Sequence, residues 1–284
     1  MPKAVGSKGS KHKKEKQEMK KGLFLLIALM LVSLLLSNGV LAEEITIVGT
    51  GSGMPLLRAV GEAFAKTNPG VNVLVPGSIG SSGGIKAVGT DKYKIGRIAR
   101  DIRDTEKHYG LKMIPFAKMP IVFFVNKSVS LKDLTPSQVC DIYSGKLENW
   151  GNIGGKEGRI RVIRREDGDS SLKVLLKSFP GFKDITLTSR SKTTFTDQET
   201  IMLAEKKTGT IAWGDYVNAR NYNVDILSVS GQAPTNDDYP YNGTLSLIFK
   251  EKNKTGDISK FVEFATSAPA QEVIRAAGGL PVMQ

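Results

Sequence analysis

The feature that most constrains the fold is a unit that occurs three times, in which a hydrophobic strand ends in a loop of small residues that opens a helix. The loops cover residues 49–53, 77–84 and 168–171. The strand before the first loop alternates at 44–48, and Pro55 and Asn68-Pro69-Gly70 mark the start and end of its helix. Strands that alternate with helices in this way predict an α/β fold with mostly parallel sheets.

Two long extended segments predict that this fold is divided into two lobes. They are MPIVFFVN at 119–126 and YPYNGTLSLIFK at 239–250. Because each segment is expected to cross between the lobes, the sequence assigns residues 43–121 and 241–284 to lobe I and residues 122–240 to lobe II. The two crossings predict a cleft between the lobes, which is a common place for a ligand.

The three Gly/Ser loops predict an oxyanion site at that cleft. A helix N-terminus leaves backbone N–H groups unpaired and carries about half a positive charge. Small residues let an anion approach these groups, and serine hydroxyls add further donors. The serines concerned are Ser52, Ser81, Ser82, Ser170 and Ser171. One such loop is common as plain structure, whereas three on one chain favour a shared anion.

Charged residues beside the third loop suggest which anion is bound. Arg165 precedes this loop, and its planar guanidinium suits a tetrahedral oxyanion, although it could also be an exposed strand-end residue. Asp167 and Asp169 would repel an anion unless it carries a proton, as hydrogen phosphate does near neutral pH. A carboxylate that accepts this proton would select phosphate over sulfate. Either Asp could instead cap the next helix or orient Arg165.

The first 42 residues have the pattern of a secretory signal peptide. An uncharged run at 23–36 follows Lys20 and Lys21, and small residues lead to Ala42, where cleavage is predicted. Met19 is a possible true start of this signal. An uncleaved anchor over 22–42 is the alternative. The expected location of the mature protein is the periplasm.

Charge and composition exclude several classes of function. Residues 1–42 hold 8 Lys and 2 Glu, so they carry half of the net charge of +12, and no nucleic-acid partner is expected. The basic stretch 92–107 is interpreted as a solvated face. One Cys and two His leave no cluster for a metal. The two His are also not placed as the base that a serine hydrolase at Ser82 would need. No P-loop motif is present. No cofactor is predicted.

An ordered set of motifs over nearly the whole mature chain resembles the periplasmic phosphate-binding proteins of ABC phosphate importers. The motifs are GTGSGMP at 49–55, GSSGGIKAV at 80–88, DIYSGKLENWGNIGG at 141–155, RREDGDSS at 164–171 and GTIAWG at 209–214. The resemblance implies a two-lobed Venus-flytrap fold that holds phosphate in its cleft and delivers it to a membrane permease.

The resemblance also implies a set of phosphate-binding residues. Together with the loop analysis, it gives Ser52, Gly53, Met54, Ser81, Arg100, Arg165, Asp167, Asp169, Ser170 and Ser171. The chain departs from the family pattern in two places. Asp169 stands where a hydroxyl is common, and the family's other acceptor Asp aligns with Ala99. Beside it, Arg100 could be a second clamp and Asp101 a displaced acceptor.

The sequence thus predicts a monomeric binding protein, and not an enzyme, whose partners are inorganic phosphate and an ABC permease. Three alternatives stay open. The ligand could be phosphonate, arsenate or molybdate; the protein could be a secreted phosphatase-like enzyme; or it could report the anion level to a membrane kinase.

Overall fold

The computed structural model describes Met19 and residues 43–236 and 238–282. The predicted signal peptide, apart from Met19, lies outside the described residues. Among the residues that are described, no helix has the length and apolar character needed to cross a membrane.

Helices and strands alternate over much of the described chain, as the sequence predicts. The helices are α1 Met54–Thr67, α2 Gly80–Gly89, α3 Pro136–Ser144, α4 Ser170–Ser178, α5 Asp197–Lys206, α6 Tyr216–Ala219, α7 Gly256–Ala265 and α8 Ala268–Ala276. The strands are β1 Glu43–Gly49, β2 Val71–Leu74, β3 Ile95–Ile98, β4 Lys112–Asn126, β5 Asp133–Leu134, β6 Arg161–Arg165, β7 Lys192–Thr194, β8 Thr210–Asp215, β9 Val224–Ile226, β10 Ser228–Val229, β11 Asn242–Phe249 and β12 Leu280–Pro281. The alternation is interrupted where β3 to β5 follow one another, where β9 to β11 do so, and where the last two α-helices are consecutive.

The long strand β4 connects two groups of strands. Its first part pairs antiparallel with β11 from Lys112 to Pro120. Its second part pairs with β8 from Ile121 to Val125. On one side of β4 the strand order is β2-β1-β3-β11, and on the other it is β8-β6-β7. The β1, β2 and β3 strands are parallel to one another, as are β6, β7 and β8. The two predicted crossing segments are therefore real strands, and they pair with each other.

Two large hydrophobic cores flank this junction. One contains Ile47, Leu57 and Phe261, and it is built mainly from residues of β1, α1, β11 and α7. The other contains Phe123, Tyr143 and Trp213, and the ring of Tyr143 packs against the rings of both other residues. Because both cores include residues of β4, each group of strands has its own interior while sharing one strand.

Two sequence-based expectations about the basic region and the second loop are corrected. Helix α2 begins at Gly80, inside the predicted loop 77–84, so Ser81 and Ser82 are in its first turn. The stretch 92–107 is not wholly a solvated face, because β3 passes through it with all four residues buried. Arg97 is fully buried and Arg100 nearly so.

The close approach of β1 to β3 fixes the start of the first Gly/Ser loop. Gly49 has φ +142°, and a Cβ there would lie 1.9 Å from the carbonyl oxygen of Arg97. A backbone oxygen cannot move aside as a side chain can. Only glycine therefore fits at this position.

We expect Gly49→Ala to lower the free energy of unfolding by about 3 kcal/mol or more, because strain and a backbone clash add together. The matched control is Gly110→Ala. Gly110 also has positive φ, but a Cβ there meets nothing within 4 Å, so a cost of about 1 kcal/mol is expected. Urea denaturation of the two variants measures both values, and equal losses would contradict the proposed clash.

Candidate functional site

The three Gly/Ser turns converge on a cavity of about 350 Å³. A fourth turn, which joins β7 to α5, completes its wall. The lining residues are Thr50, Gly51, Ser78, Ile79, Gly80, Ser81, Ser82, Arg165, Glu166, Gly168, Asp169, Ser170, Phe195, Thr196 and Asp197. Since these turns come from both sides of β4, the cavity lies between the two groups of strands.

In the first turn, the structure uses most of the predicted donors internally. Thr50 and Gly51 line the cavity, while Ser52 is buried and its hydroxyl donates to Asp197 Oδ1 over 3.4 Å. The backbone N–H of Gly53 donates to the Asp215 carboxylate, and that of Met54 donates to the Gly51 carbonyl. The structure therefore places Gly53 and Met54 beside the cavity and not in its lining.

The second turn brings Ser81 to the cavity and Arg100 behind it. Ser81 Oγ lies 3.1 Å from Ser170 Oγ, so hydroxyls of the second and third turns meet across the cavity. The Arg100 guanidinium donates to both carboxylate oxygens of Glu106 over 2.7 Å and to Ser82 Oγ. The hydrogen bonds from Arg100 lower the pKa of Glu106 to about 2. Arg100 is thus already paired, and it orients Ser82 from outside the cavity.

In the third turn, Arg165 lies at the cavity between two carboxylates. Its Nη1 atom lies 3.3 Å from Asp169 Oδ2 and 3.1 Å from Asp197 Oδ1, and it has no well-aligned hydrogen bond within the described chain. Burial alone would lower the pKa of Arg165, but Asp197 and Asp169 raise it above its ordinary value. The guanidinium therefore stays charged and keeps unused donor capacity.

Asp169 caps helix α4 and contacts Arg165, as the alternative interpretation of the sequence allowed. Its Oδ1 accepts from the Leu172 N–H over 2.8 Å and from Trp213 Nε1 over 3.3 Å. Burial raises the pKa of Asp169 to about 6, although Arg165 opposes the shift. Next to it, Ser170 lines the cavity, whereas the Ser171 hydroxyl is buried with no hydrogen-bond partner in the described residues.

The structure places Asp167 outside the cavity, which corrects its assignment to the site. Its side chain is 91% exposed and lies 3.7 Å from Arg164, a residue that β6 turns away from Arg165. The physical reason is that β6 ends at Arg165, and the tight turn closed by the Asp169 N–H and the Glu166 carbonyl directs Asp167 away from the cavity. Ala99 is buried and Asp101 is exposed. Both residues line a second cavity that adjoins the site.

The fourth turn supplies Asp197, a functional candidate that the sequence analysis missed. Asp197 is 3% exposed, begins α5, and contacts both Arg165 and Ser52. Thr196 caps this helix by accepting from the Glu199 N–H. The signal that could have found it is the Thr196-Asp197 pair with Glu199, a capping pattern, after the short strand β7.

A third buried carboxylate, Asp215, holds the first turn through Asn218. Asp215 Oδ1 accepts from the Asn218 N–H, and the Asn218 side chain donates to the Gly51 carbonyl over 2.9 Å. Burial, together with the nearby charge of Asp197, raises the pKa of Asp215 to about 7. The three buried carboxylates thus lie close enough to affect one another.

Two larger cavities lie elsewhere in the described residues. One of about 650 Å³ adjoins the site and shares Ser170 with it. The other, of about 510 Å³, lies near the start of β6 and contains none of the Gly/Ser turns. Size alone therefore does not identify the anion site, whereas convergent donors do.

Comparison with known proteins places the chain in a family. The profile of the PBP superfamily domain matches residues 37–269, and the chain belongs to this superfamily. The phosphate-binding protein PstS of Borreliella burgdorferi is 26% identical over 277 residues, covering 92% of this chain and 99% of that protein.

Solved structures show the same fold. A candidate phosphate ABC transporter substrate-binding protein from Clostridium perfringens, solved with bound phosphate, is 28% identical with a TM-score of 0.75 over 85% of this chain and 100% of that one. A phosphate-binding protein from Stenotrophomonas maltophilia is 16% identical with a TM-score of 0.66, over 85% and 91% of the two chains. The two-lobed α/β fold predicted from the sequence is confirmed.

The raised pKa values of Asp169 and Asp215 predict an unusual dependence of stability on pH. A carboxyl whose pKa is higher in the folded state than its usual value near 3.8 binds more protons when folded. The contribution of these two carboxyls to the free energy of unfolding in the absence of ligand should therefore fall as pH rises from about 4 to 7. We expect Asp215→Asn to reduce this slope, and Asp167→Asn, at an exposed carboxyl, to leave it unchanged. Thermal melts at closely spaced pH values measure the slope. A slope in Asp215→Asn equal to that of the wild type would contradict the raised pKa of Asp215.

Proposed function

We propose that this protein is an extracytoplasmic solute-binding protein that captures inorganic phosphate between its lobes and delivers it to a membrane ABC permease. Its relatives support this proposal, since the Borreliella protein is a phosphate-binding protein and the Clostridium structure contains phosphate. The protein binds its ligand and performs no reaction on it. It acts as a monomer in the periplasm, after removal of the signal peptide at 1–42.

The observation that carries the proposal is the position of Arg165. This buried guanidinium faces a cavity to which Ser81 and Ser170 bring hydroxyls from opposite sides. The N–H groups of its Nη1 atom can still donate hydrogen bonds, because the ionic contacts with Asp169 and Asp197 are poorly aligned for hydrogen bonding. A tetrahedral oxyanion could accept from this atom while the serines donate to its other oxygens.

The lobe boundaries that the sequence indicates, 43–121 with 241–284 and 122–240, are part of the proposal. The strand β4 changes partner from β11 to β8 at Pro120 and Ile121, next to the first boundary. We propose that the lobes close about this strand pair. A ligand that contacts both Ser81 and Ser170 binds the closed form better and so shifts the population toward it.

Arg165→Ala should abolish measurable phosphate binding, because loss of a buried charged donor costs about 3 kcal/mol or more, which is at least a hundredfold in affinity. The matched control is Arg164→Ala, one residue earlier on the same strand. Arg164 bonds Thr193 and contacts the exposed Asp167, so its loss should change affinity less than twofold. Isothermal titration with phosphate measures the affinity of both variants. Unchanged affinity in Arg165→Ala would show that Arg165 does not bind the phosphate.

A separate assay of the wild-type protein distinguishes a binding protein from an enzyme. A chromogenic phosphate ester incubated with the protein should release no product above the buffer rate. Turnover that Arg165→Ala removes would instead make the protein an enzyme and overturn the proposal.

We further propose that Asp197 accepts the proton of bound hydrogen phosphate. It takes the role that the sequence analysis gave to Asp167 and Asp169, because it is buried at the cavity and contacts Arg165, whereas Asp167 is exposed and Asp169 caps α4. Fully ionised sulfate has no proton to offer, so it would face an unpaired buried carboxylate.

Asp197→Asn should therefore lower the preference for phosphate over sulfate by at least about tenfold, since an amide can donate to sulfate. Asp167→Asn is the control, and its preference should equal that of the wild type because the side chain is exposed. Competition of sulfate with labelled phosphate measures both ratios. If sulfate competes well with the wild type, or if the ratio is the same in Asp197→Asn, Asp197 does not select the ligand.

A further inference from the structure

The residue Arg97 is the most deeply buried cation of the described chain that the proposed site does not use. It lies in β3 with 0% exposure. Its Nε atom donates to the Thr50 carbonyl over 2.7 Å, Nη2 donates to the Pro76 carbonyl over 2.8 Å, and Nη1 donates to the Ile47 carbonyl. All three partners are backbone oxygens, and they belong to the ends of β1 and of the segment after β2.

These three carbonyls come from the chain segments that lead into the first and second Gly/Ser turns. Ile47 and Thr50 flank Gly49, where the first turn begins, and Pro76 precedes the second turn. One planar, rigid guanidinium therefore ties the two turns together at a fixed distance. A lysine has no such fork and could satisfy fewer of these oxygens.

The bond to Thr50 also orients the first turn. In a planar trans peptide the C=O and the following N–H point in opposite directions. Since the Thr50 carbonyl points toward Arg97, the Gly51 N–H points away from it. Thr50 and Gly51 both line the cavity.

The charge of Arg97 has no ion-pair partner in the described parts of the chain. Burial and, to a smaller extent, the charge of Arg58 lower the pKa of Arg97 to about 10, although the charge of Asp197 opposes the shift. The guanidinium is therefore still charged at neutral pH. A buried charge that is held by dipoles alone is costly, and a nearby anion reduces this cost.

The surroundings of Arg165 make a second positive charge useful. Arg165 contacts three carboxylates, those of Glu166, Asp169 and Asp197. An incoming anion would be repelled by any of them that is ionised. Arg100 does not offset this repulsion, because Glu106 neutralises it.

We propose that Arg97, which holds the first two turns by their carbonyls, also supplies the buried positive charge that offsets the carboxylates around Arg165. This inference rests on the proposed function, because it concerns the same anion. A merely structural role is the competing explanation. In that case any substitution that breaks the three carbonyl bonds would have the same effect, whatever its charge.

The test compares Arg97→Met, which removes charge and hydrogen bonds, with Arg97→Lys, which keeps the charge and loses the fork. Phosphate affinity is measured by isothermal titration on protein whose circular dichroism shows it to be folded. Arg97→Met should weaken binding by about tenfold or more, and Arg97→Lys should recover most of that loss, because it restores one positive charge beside the cavity-lining Thr50. The control is Arg58→Met, which removes a partly exposed arginine that bonds the Val75 carbonyl nearby. This control should stay within twofold of the wild type.

The outcomes separate the two proposals. Failure of the wild type to bind phosphate overturns the proposed function, and its failure to bind any oxyanion overturns the role of Arg97 as well. If the wild type binds and Arg97→Met stays within twofold of it, or if Met and Lys lose affinity equally, Arg97 is structural and the inference is wrong. If Arg97→Met does not fold, Arg97→Lys decides: affinity within about fivefold of the wild type supports the charge, and a larger loss overturns it.

Discussion

The arrangement of the site depends on the ion pairs of Arg165 with Asp169 and Asp197. Asp169 begins the helix after β6, and Asp197 begins the helix after β7, so one guanidinium holds two strand-to-helix turns together. The Ser52 hydroxyl extends this contact to the first turn by donating to Asp197. Because all of these groups are buried, removing one charge would leave the others uncompensated, and the turns would no longer be held together.

The fold was predictable from the sequence because its signals are local. Alternation in β1, proline and glycine at the ends of α1, and the Gly/Ser turns each lie within a few residues of the structure that they indicate. The start of α2 was placed too late for the same reason. Glycines are rare inside helices, so Gly80 to Gly84 look like a loop, although the structure makes them the first turns of the helix.

The candidate site was only partly predictable, because its charges pair over long distances. Arg165, Ser81 and Ser170 were found through their turns. Asp197 lies 32 residues after Arg165 on another turn, and no local pattern shows that the two meet. Residue type predicts both Asp167 and Asp169 as site residues, but the geometry of the turn sets the direction of each side chain, and it exposes Asp167 while burying Asp169. The sequence does not indicate that Arg97 is buried, because β3 has only four residues and lies among exposed lysines, so its pattern is too short to interpret.

The balance of charges suggests how such a site can bind tightly and still select its ligand. Donors and arginines favour any oxyanion, so they contribute affinity with little discrimination between phosphate and sulfate. The buried carboxylates oppose every anion, but the opposition is relieved when a ligand proton lies between carboxylate and anion. Carboxylates that lower the affinity for all anions therefore lower it least for a protonated one. On this argument, a cation such as Arg97 that lies away from the ligand offsets their repulsion without providing sulfate with an additional donor.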